Sequence, residues 1–95
     1  MTASTTLPTL LFYARDGCEL CDEARADLQA LLEQRVRRGD PIARVRVVDI
    51  DADAELKTRY GGLIPVMALN GREITLVMGQ RAISQFLDAT LGRLG

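Results

Sequence analysis

Apolar residues fill Leu7 to Ala14 almost without interruption, and a run that short reads as a buried strand with Pro8 at its beginning or edge. Arg15, Asp16 and Gly17 break it. From Glu19 the period changes: Cys21, Ala24, Leu28, Leu31 and Leu32 recur at three- and four-residue intervals, the stripe of a helix with one face turned inward. That helix is expected to run to about Arg37 and to stop before Gly39-Asp40-Pro41, since glycine suits the C-terminal cap and proline cannot continue the ladder. Ile42 to Ile50 alternates Arg44 and Arg46 with Ala43, Val45 and Val47, which predicts a second strand lying parallel to the first across the helix. Asp51 and Asp53 offer caps for a short helix through Glu55, Leu56 and Tyr60 that Gly61-Gly62 ends. Val66 to Leu69, Asn70-Gly71 and Ile74 to Met78 predict a hairpin, because Asn-Gly is the favoured pair for a two-residue turn with positive φ at both positions. Gly79 closes it, and Ile83, Phe86, Leu87 and Leu91 mark the inner face of a last helix.

Both cysteines fall where the first strand gives way to the first helix, as Cys18-Glu19-Leu20-Cys21. A thiol at that turn faces unpaired backbone N–H groups and the positive end of the helix dipole, which favour its thiolate. Cys21 lies one turn deeper on the inward face. The spacing suits thiol–disulfide exchange, in which the outer sulfur attacks a disulfide and the inner one resolves the mixed intermediate. Packing or metal binding is the competing reading of the same pair. Two cysteines and no histidine cannot complete a four-ligand zinc site in one chain, so a metal would need carboxylates or a second chain.

Length and charge narrow the picture further. The 95 residues allow one small domain, and a net charge of −1 gives no electrostatic case for nucleic acid or an anionic membrane. Apart from Lys57 the basic residues are arginines, a bias read as base composition rather than as a binding face. The segment Met1 to Thr6 is polar and lacks the basic start and apolar core of a signal peptide, so a cytoplasmic protein with a flexible tail over residues 1–6 is expected. In that compartment a close cysteine pair is catalytic more often than it is a staple.

In this order the pieces resemble the thioredoxin superfamily. Leu11-Phe12-Tyr13-Ala14-Arg15 running directly into Cys18-Glu19-Leu20-Cys21 is similar to a glutaredoxin, which lacks the additional strand and helix of full thioredoxins. Val48-Asp49-Ile50-Asp51, Glu55-Leu56, Tyr60-Gly61, Ile64-Pro65 and Phe86-Leu87 look like thioredoxin itself, and the combination with Cys-x-Leu-Cys-Asp-Glu-Ala fits the small glutaredoxin-like proteins of bacteria. The resemblance implies an α/β thioredoxin fold over residues 7–95, β-α-β-α-β-β-α, with a four-stranded mixed sheet flanked by helices. It implies catalysis by Cys18 and Cys21, and a cis Pro65 facing them, beside which the Ile64 backbone is free to pair with an extended substrate in the manner of an added strand. Arg15 matches a glutaredoxin lysine that holds a glutathione carboxylate, a task for which its forked guanidinium is suited. Gly79 and Gln80 match the turn that binds the rest of the tripeptide, with one glycine where glutaredoxins have two. Phe12 stands where thioredoxin carries a buried acid, which leaves the proton of Cys21 to water or to Glu19.

The residues around the pair set its expected strength. Asp16, Glu19, Asp22 and Glu23 ring the nucleophile, and a carboxylate about 4 Å away opposes a thiolate by about 1 kcal/mol in water. The helix end returns about 0.3 to 1 kcal/mol, so the expectation is a mildly favoured thiolate and a reducing couple. The functional expectation is a monomeric cytoplasmic dithiol oxidoreductase that reduces protein or glutathione-mixed disulfides, with no bound cofactor or metal. Its electrons would come from glutathione or a flavin-dependent reductase. The alternatives are a dimeric module that bridges zinc or an iron–sulfur cluster, and a redox-inactive binding domain on the same fold.

Overall fold

The computed structural model describes residues 7–93; the tail expected over residues 1–6 lies outside them. Strand β1, Thr9–Ala14, occupies the middle of a four-stranded sheet of order β2-β1-β3-β4. Its side chains alternate, Leu10 and Phe12 entering the larger core while Tyr13 packs with the smaller cluster on the opposite face. Helix α1, Glu19–Arg38, leads to β2, Arg44–Asp49, which pairs parallel to β1 with Phe12 opposite Val47 and Ala14 opposite Asp49. The helix ends as its sequence predicts. Gly39 sits at φ 78° in the left-handed region and closes the last turn onto the carbonyls of Arg35 and Val36.

A 3₁₀ turn over Ile50–Ala52 follows β2, and Asp49 rather than Asp51 caps it by accepting from the Asp51 N–H. Asp53 caps helix α2, Ala54–Tyr60, through bonds from the Glu55 and Leu56 N–H groups. Strand β3, Val66–Leu69, then runs antiparallel to β1, and Asn70 and Gly71 turn the chain into β4 with φ of 51° and 81°. Here one expectation fails. The last strand is Arg72–Ile74 and does not continue to Met78, because the chain at Leu76 enters positive φ and transfers its pairing to the loop before β3. The Leu76 N–H donates to the Leu63 carbonyl at 2.8 Å and the Val77 N–H to that of Pro65 at 3.0 Å. Val77 is thereby buried, while Leu76 and Met78 remain in solvent. Gly79 accordingly begins helix α3, Gln80–Leu91, instead of closing the hairpin.

Helices α1 and α3 cover one face of the sheet around Leu10, Phe12, Leu28, Met67, Ile83 and Leu87. Helix α2 covers the other, where Ile50, Tyr60 and Val66 are buried. Arg35, which no periodicity singles out, is only 3% exposed. Its guanidinium donates to the Pro41 carbonyl at 2.6 Å, to Asp88 at 2.9 Å and to the Gly92 carbonyl, so it joins the C-terminal ends of α1 and α3. At its own start, α3 meets the middle of α1, where Gln80 donates to Asp27 at 3.4 Å. The two helices therefore run in the same direction, with α1 reaching about two turns beyond the start of α3 toward the end of the sheet where β1 finishes and β3 begins.

Removing the guanidinium would leave two carbonyls without their buried donor. Arg35→Met is expected to lower unfolding free energy by about 2–4 kcal/mol in urea titration, with Arg35→Lys recovering only part because one ammonium cannot span three acceptors. A change within about 0.5 kcal/mol, the range of an ordinary surface substitution, would show that the cluster contributes little.

Candidate functional site

Where β1 ends, Gly17 turns the chain at φ 78° and delivers Cys18 in an extended conformation to the N-cap of α1. The Cys18 sulfur accepts the backbone N–H of Cys21 at 3.1 Å, taking up one of the donors that a helix start leaves unpaired. The Cys18 carbonyl meanwhile accepts from the Asp22 N–H, also at 3.1 Å. The two cysteines are joined as a disulfide, with Cα atoms 5.2 Å apart. Cys18 is half-buried, whereas Cys21 is 2% exposed and packs beneath it.

The Ile64–Pro65 peptide is cis, and Pro65 is buried against the start of β3. Because Tyr13 is paired with Val66, this loop lies beside the end of β1 and hence beside the cysteine turn. The carbonyls on either side of Ile64 are engaged by Leu76 and Val77, but Ile64's own N–H and C=O have no partner among the described residues. Below the loop, Ile64 packs on the cluster of Ile50, Tyr60, Val66, Tyr13 and Leu56. The rings of Tyr13 and Tyr60 are stacked at 4.4 Å, and the Tyr60 hydroxyl donates to Glu73 at 2.6 Å. Burial, and after it the hydrogen bond to Glu73, pushes the Tyr60 phenol up to about 12.

Arg15 is near the mouth, but its fork is occupied. Nη2 lies 2.5 Å from Asp51 Oδ1 and Nε 3.2 Å from Oδ2, a two-point pair across 36 residues of sequence. The hydrogen bond, more than the charge, holds the Arg15 pKa above and the Asp51 pKa below their ordinary values. Gly79 stands at φ 85° ahead of α3, and Gln80 reaches across to Asp27. Asp16, Glu19, Asp22 and Glu23 are all exposed around the first turn. Phe12, in place of an acid, is fully buried core.

Sequence reasoning did not find the cavity behind the pair. About 260 Å³ in volume, it is lined by Cys21 together with Asp16, Asp22, Arg25, Val47 and Asp49, and it borders the turn at Gly17. Glu19 is not among its walls. The signal was register: Asp49 lies opposite Ala14 and so faces the α1 side of the sheet. Among the described residues no group of three or more cysteine, aspartate or glutamate side chains could hold a metal ion, and no helix is long and apolar enough to cross a membrane.

A four-stranded mixed sheet with a Cys-x-x-Cys pair capping the first helix and a cis-proline loop beside it defines a thioredoxin-type protein. Residues 9–91 match the glutaredoxin-like domain family (DUF836), and the chain belongs to that family. It is similar to the crystal structure of the structural-genomics target XcR50 from X. campestris, with 33% identity and a TM-score of 0.66, covering 84% of this chain and 96% of that one. It also resembles the solution structure of Ne2328 from Nitrosomonas europaea in fold, at 24% identity and a TM-score of 0.64, over 90% of this chain and 98% of that one. A search of curated proteins returns no match.

The Tyr60 environment has a measurable consequence at high pH. A phenol whose pKa rises on folding stabilises the fold fully below its ordinary value of 10.0, and that contribution is lost as pH climbs toward about 12. Phenolate absorbance, compared between the protein and Tyr60→Phe, is expected to show Tyr60 ionising near the upper value, with a loss of stability that the variant lacks. Ionisation of Tyr60 near 10.0 would contradict the burial and the bond to Glu73.

Proposed function

We propose that the protein is a dithiol oxidoreductase that reduces disulfides of proteins or of glutathione adducts, working as a monomer in the cytoplasm. The observation that carries this reading is the pair itself, an outer sulfur at the helix mouth over an inner one that is buried. In the reduced protein the Cys18 thiolate attacks one sulfur of a substrate disulfide. The first substrate thiolate leaves and a mixed disulfide forms. Cys21 then loses its proton and attacks the Cys18 sulfur, which expels the second substrate thiolate and closes the Cys18–Cys21 disulfide. Two electrons have passed to the substrate, whose thiolates take up protons. A dithiol-equivalent reductant, glutathione or a flavin-dependent reductase, runs the exchange in reverse to restore the pair.

The loop at Pro65 supplies the binding half of this reading. The unpaired N–H and C=O of Ile64 are positioned to receive an extended substrate segment as an added strand, with the scissile disulfide held against Cys18. Arg15, bound to Asp51, acts here through the shape of the turn and would have to leave its partner to hold a glutathione carboxylate. Gly79 and Gln80, which start α3 against Asp27 in the middle of α1, would have to bind the remainder of a glutathione from there. For Cys21, the cavity behind it is the route by which a proton reaches water, past Asp49 and Asp22 rather than Glu19.

Two variants and one assay test the scheme. Cys18→Ser is expected to abolish turnover of a mixed-disulfide substrate, while Cys21→Ser accumulates a covalent enzyme–substrate adduct visible as an intact mass. Pro65→Ala is expected to raise KM or to retain the adduct for longer. An unreactive reduced protein, or a Cys18→Ser variant that turns over normally, would reject the activity.

A further inference from the structure

Seven large apolar side chains stand well exposed among the described residues, and four of them, Leu20, Leu63, Leu76 and Met78, belong to the cysteine turn, the loop before β3 and the segment that pairs with that loop. They are 42%, 38%, 53% and 59% exposed respectively. Leu20 lies between the cysteines, and Leu63 is two residues before Pro65. The hydrogen bond between Leu76 and Leu63 sets these two side by side, and Met78 immediately precedes the start of α3. Leu76 and Met78 also form one wall of an open groove of about 600 Å³ between β4 and α3, with Ile74 and Phe86 inside it. Exposed apolar side chains at Leu63 and Leu76, on two segments that pair beside the Ile64 main chain, are matched by an extended segment with apolar side chains.

Charge narrows the occupant. The exposed carboxylates Asp16, Glu19, Asp22 and Glu23 surround the opening, and the guanidinium of Arg15 is committed to Asp51. Arg81 stands on the first turn of α3, and Arg25 lines the cavity behind Cys21. Glutathione, with two carboxylates against one ammonium and little apolar surface, brings a net negative charge to an acidic opening and leaves the leucines and methionine uncovered. A basic, apolar segment reverses both terms. We propose that the site selects disulfides borne on extended protein segments with apolar side chains and flanking Lys or Arg, in preference to glutathione-mixed disulfides. This rests on the oxidoreductase reading, and the bond exchange is the one written above. The same bias weighs against glutathione as the reductant.

The test uses the reduced full-length protein and four soluble disulfides: a Leu-rich peptide flanked by Lys, the same peptide flanked by Glu, a Ser-substituted Lys peptide, and a glutathione-mixed disulfide. The first is expected to react about tenfold or more faster than the last, with its advantage over the Glu-flanked peptide shrinking as salt is raised. Its advantage over the Ser-substituted peptide should fall in Leu76→Glu and in Met78→Glu. A glutathione-mixed disulfide reacting as fast as or faster than the Lys–Leu peptide overturns the proposed selectivity while leaving the activity standing. Equal rates for all three peptides, or ratios unmoved in both variants, overturn it as well. Failure to react with any of the four, in a protein whose thiols titrate as reduced, rejects the oxidoreductase reading and the selectivity with it.

Discussion

A helix cannot satisfy the N–H groups of its own first turn, and α1 begins where that deficit is met by sulfur. Cys18 accepts the N–H of Cys21 as an N-cap, an office more often held by serine, threonine or aspartate. Once that bond is made, the geometry of the pair follows. The cap residue lies outside the helix and partly in solvent, and the residue three positions on lies inside, on the stripe that continues through Ala24 and Leu28. The arrangement requires a sharp turn at Gly17, whose positive φ an ordinary residue would adopt only under strain. A side chain at Gly17 would meet no neighbouring atom within 4 Å, so the demand there is on the backbone and not on space.

The far end of the molecule keeps that first turn where it is useful. Arg35 holds the last turn of α1 to the end of α3, and Asn70 in the hairpin turn donates to the Thr90 carbonyl at 3.0 Å, which ties β3 and β4 to the same helix. With both helices aligned from that end, the longer α1 carries its N-terminus past the start of α3 to the loop before β3. The second cluster, under Tyr13 and Tyr60, supports Ile64 from the opposite face of the sheet. The loop next to the cysteines is thus held by packing below and by the bonds from Leu76 and Val77 beside it, while the Ile64 backbone between those bonds has no partner among the described residues.

Much of this was legible in the chain, because local rules and global fold agree over most of its length. The stripe from Cys21 to Leu32, the Gly39 stop, the Asn70-Gly71 turn and the inner face of α3 each follow from period or cap chemistry. The last strand was misread because the apolar run from Ile74 to Met78 has the composition of a strand, whereas pairing with the Leu63–Pro65 loop, a non-local choice, ends β4 at Ile74. Arg35 hid among the many arginines, and its burial depends on acceptors at residues 41, 88 and 92 that no window spans. Arg15 looked free for a ligand because Asp51 is 36 positions away. The cavity behind Cys21 exists only once the register of β1 and β2 is known. Cysteine spacing and turn residues are local signals; what surrounds the sulfurs is tertiary.

Everything argued for the site depends on the outer sulfur being the reactive one and the inner being screened until a mixed disulfide forms. Time-resolved alkylation of the freshly reduced protein, with each cysteine quantified by peptide mass spectrometry, measures that asymmetry directly. The account predicts that Cys18 is modified about tenfold or more faster than Cys21, as expected for an accessible thiol at a helix N-terminus against a buried one. Equal rates at the two positions, or faster modification of Cys21, would contradict it.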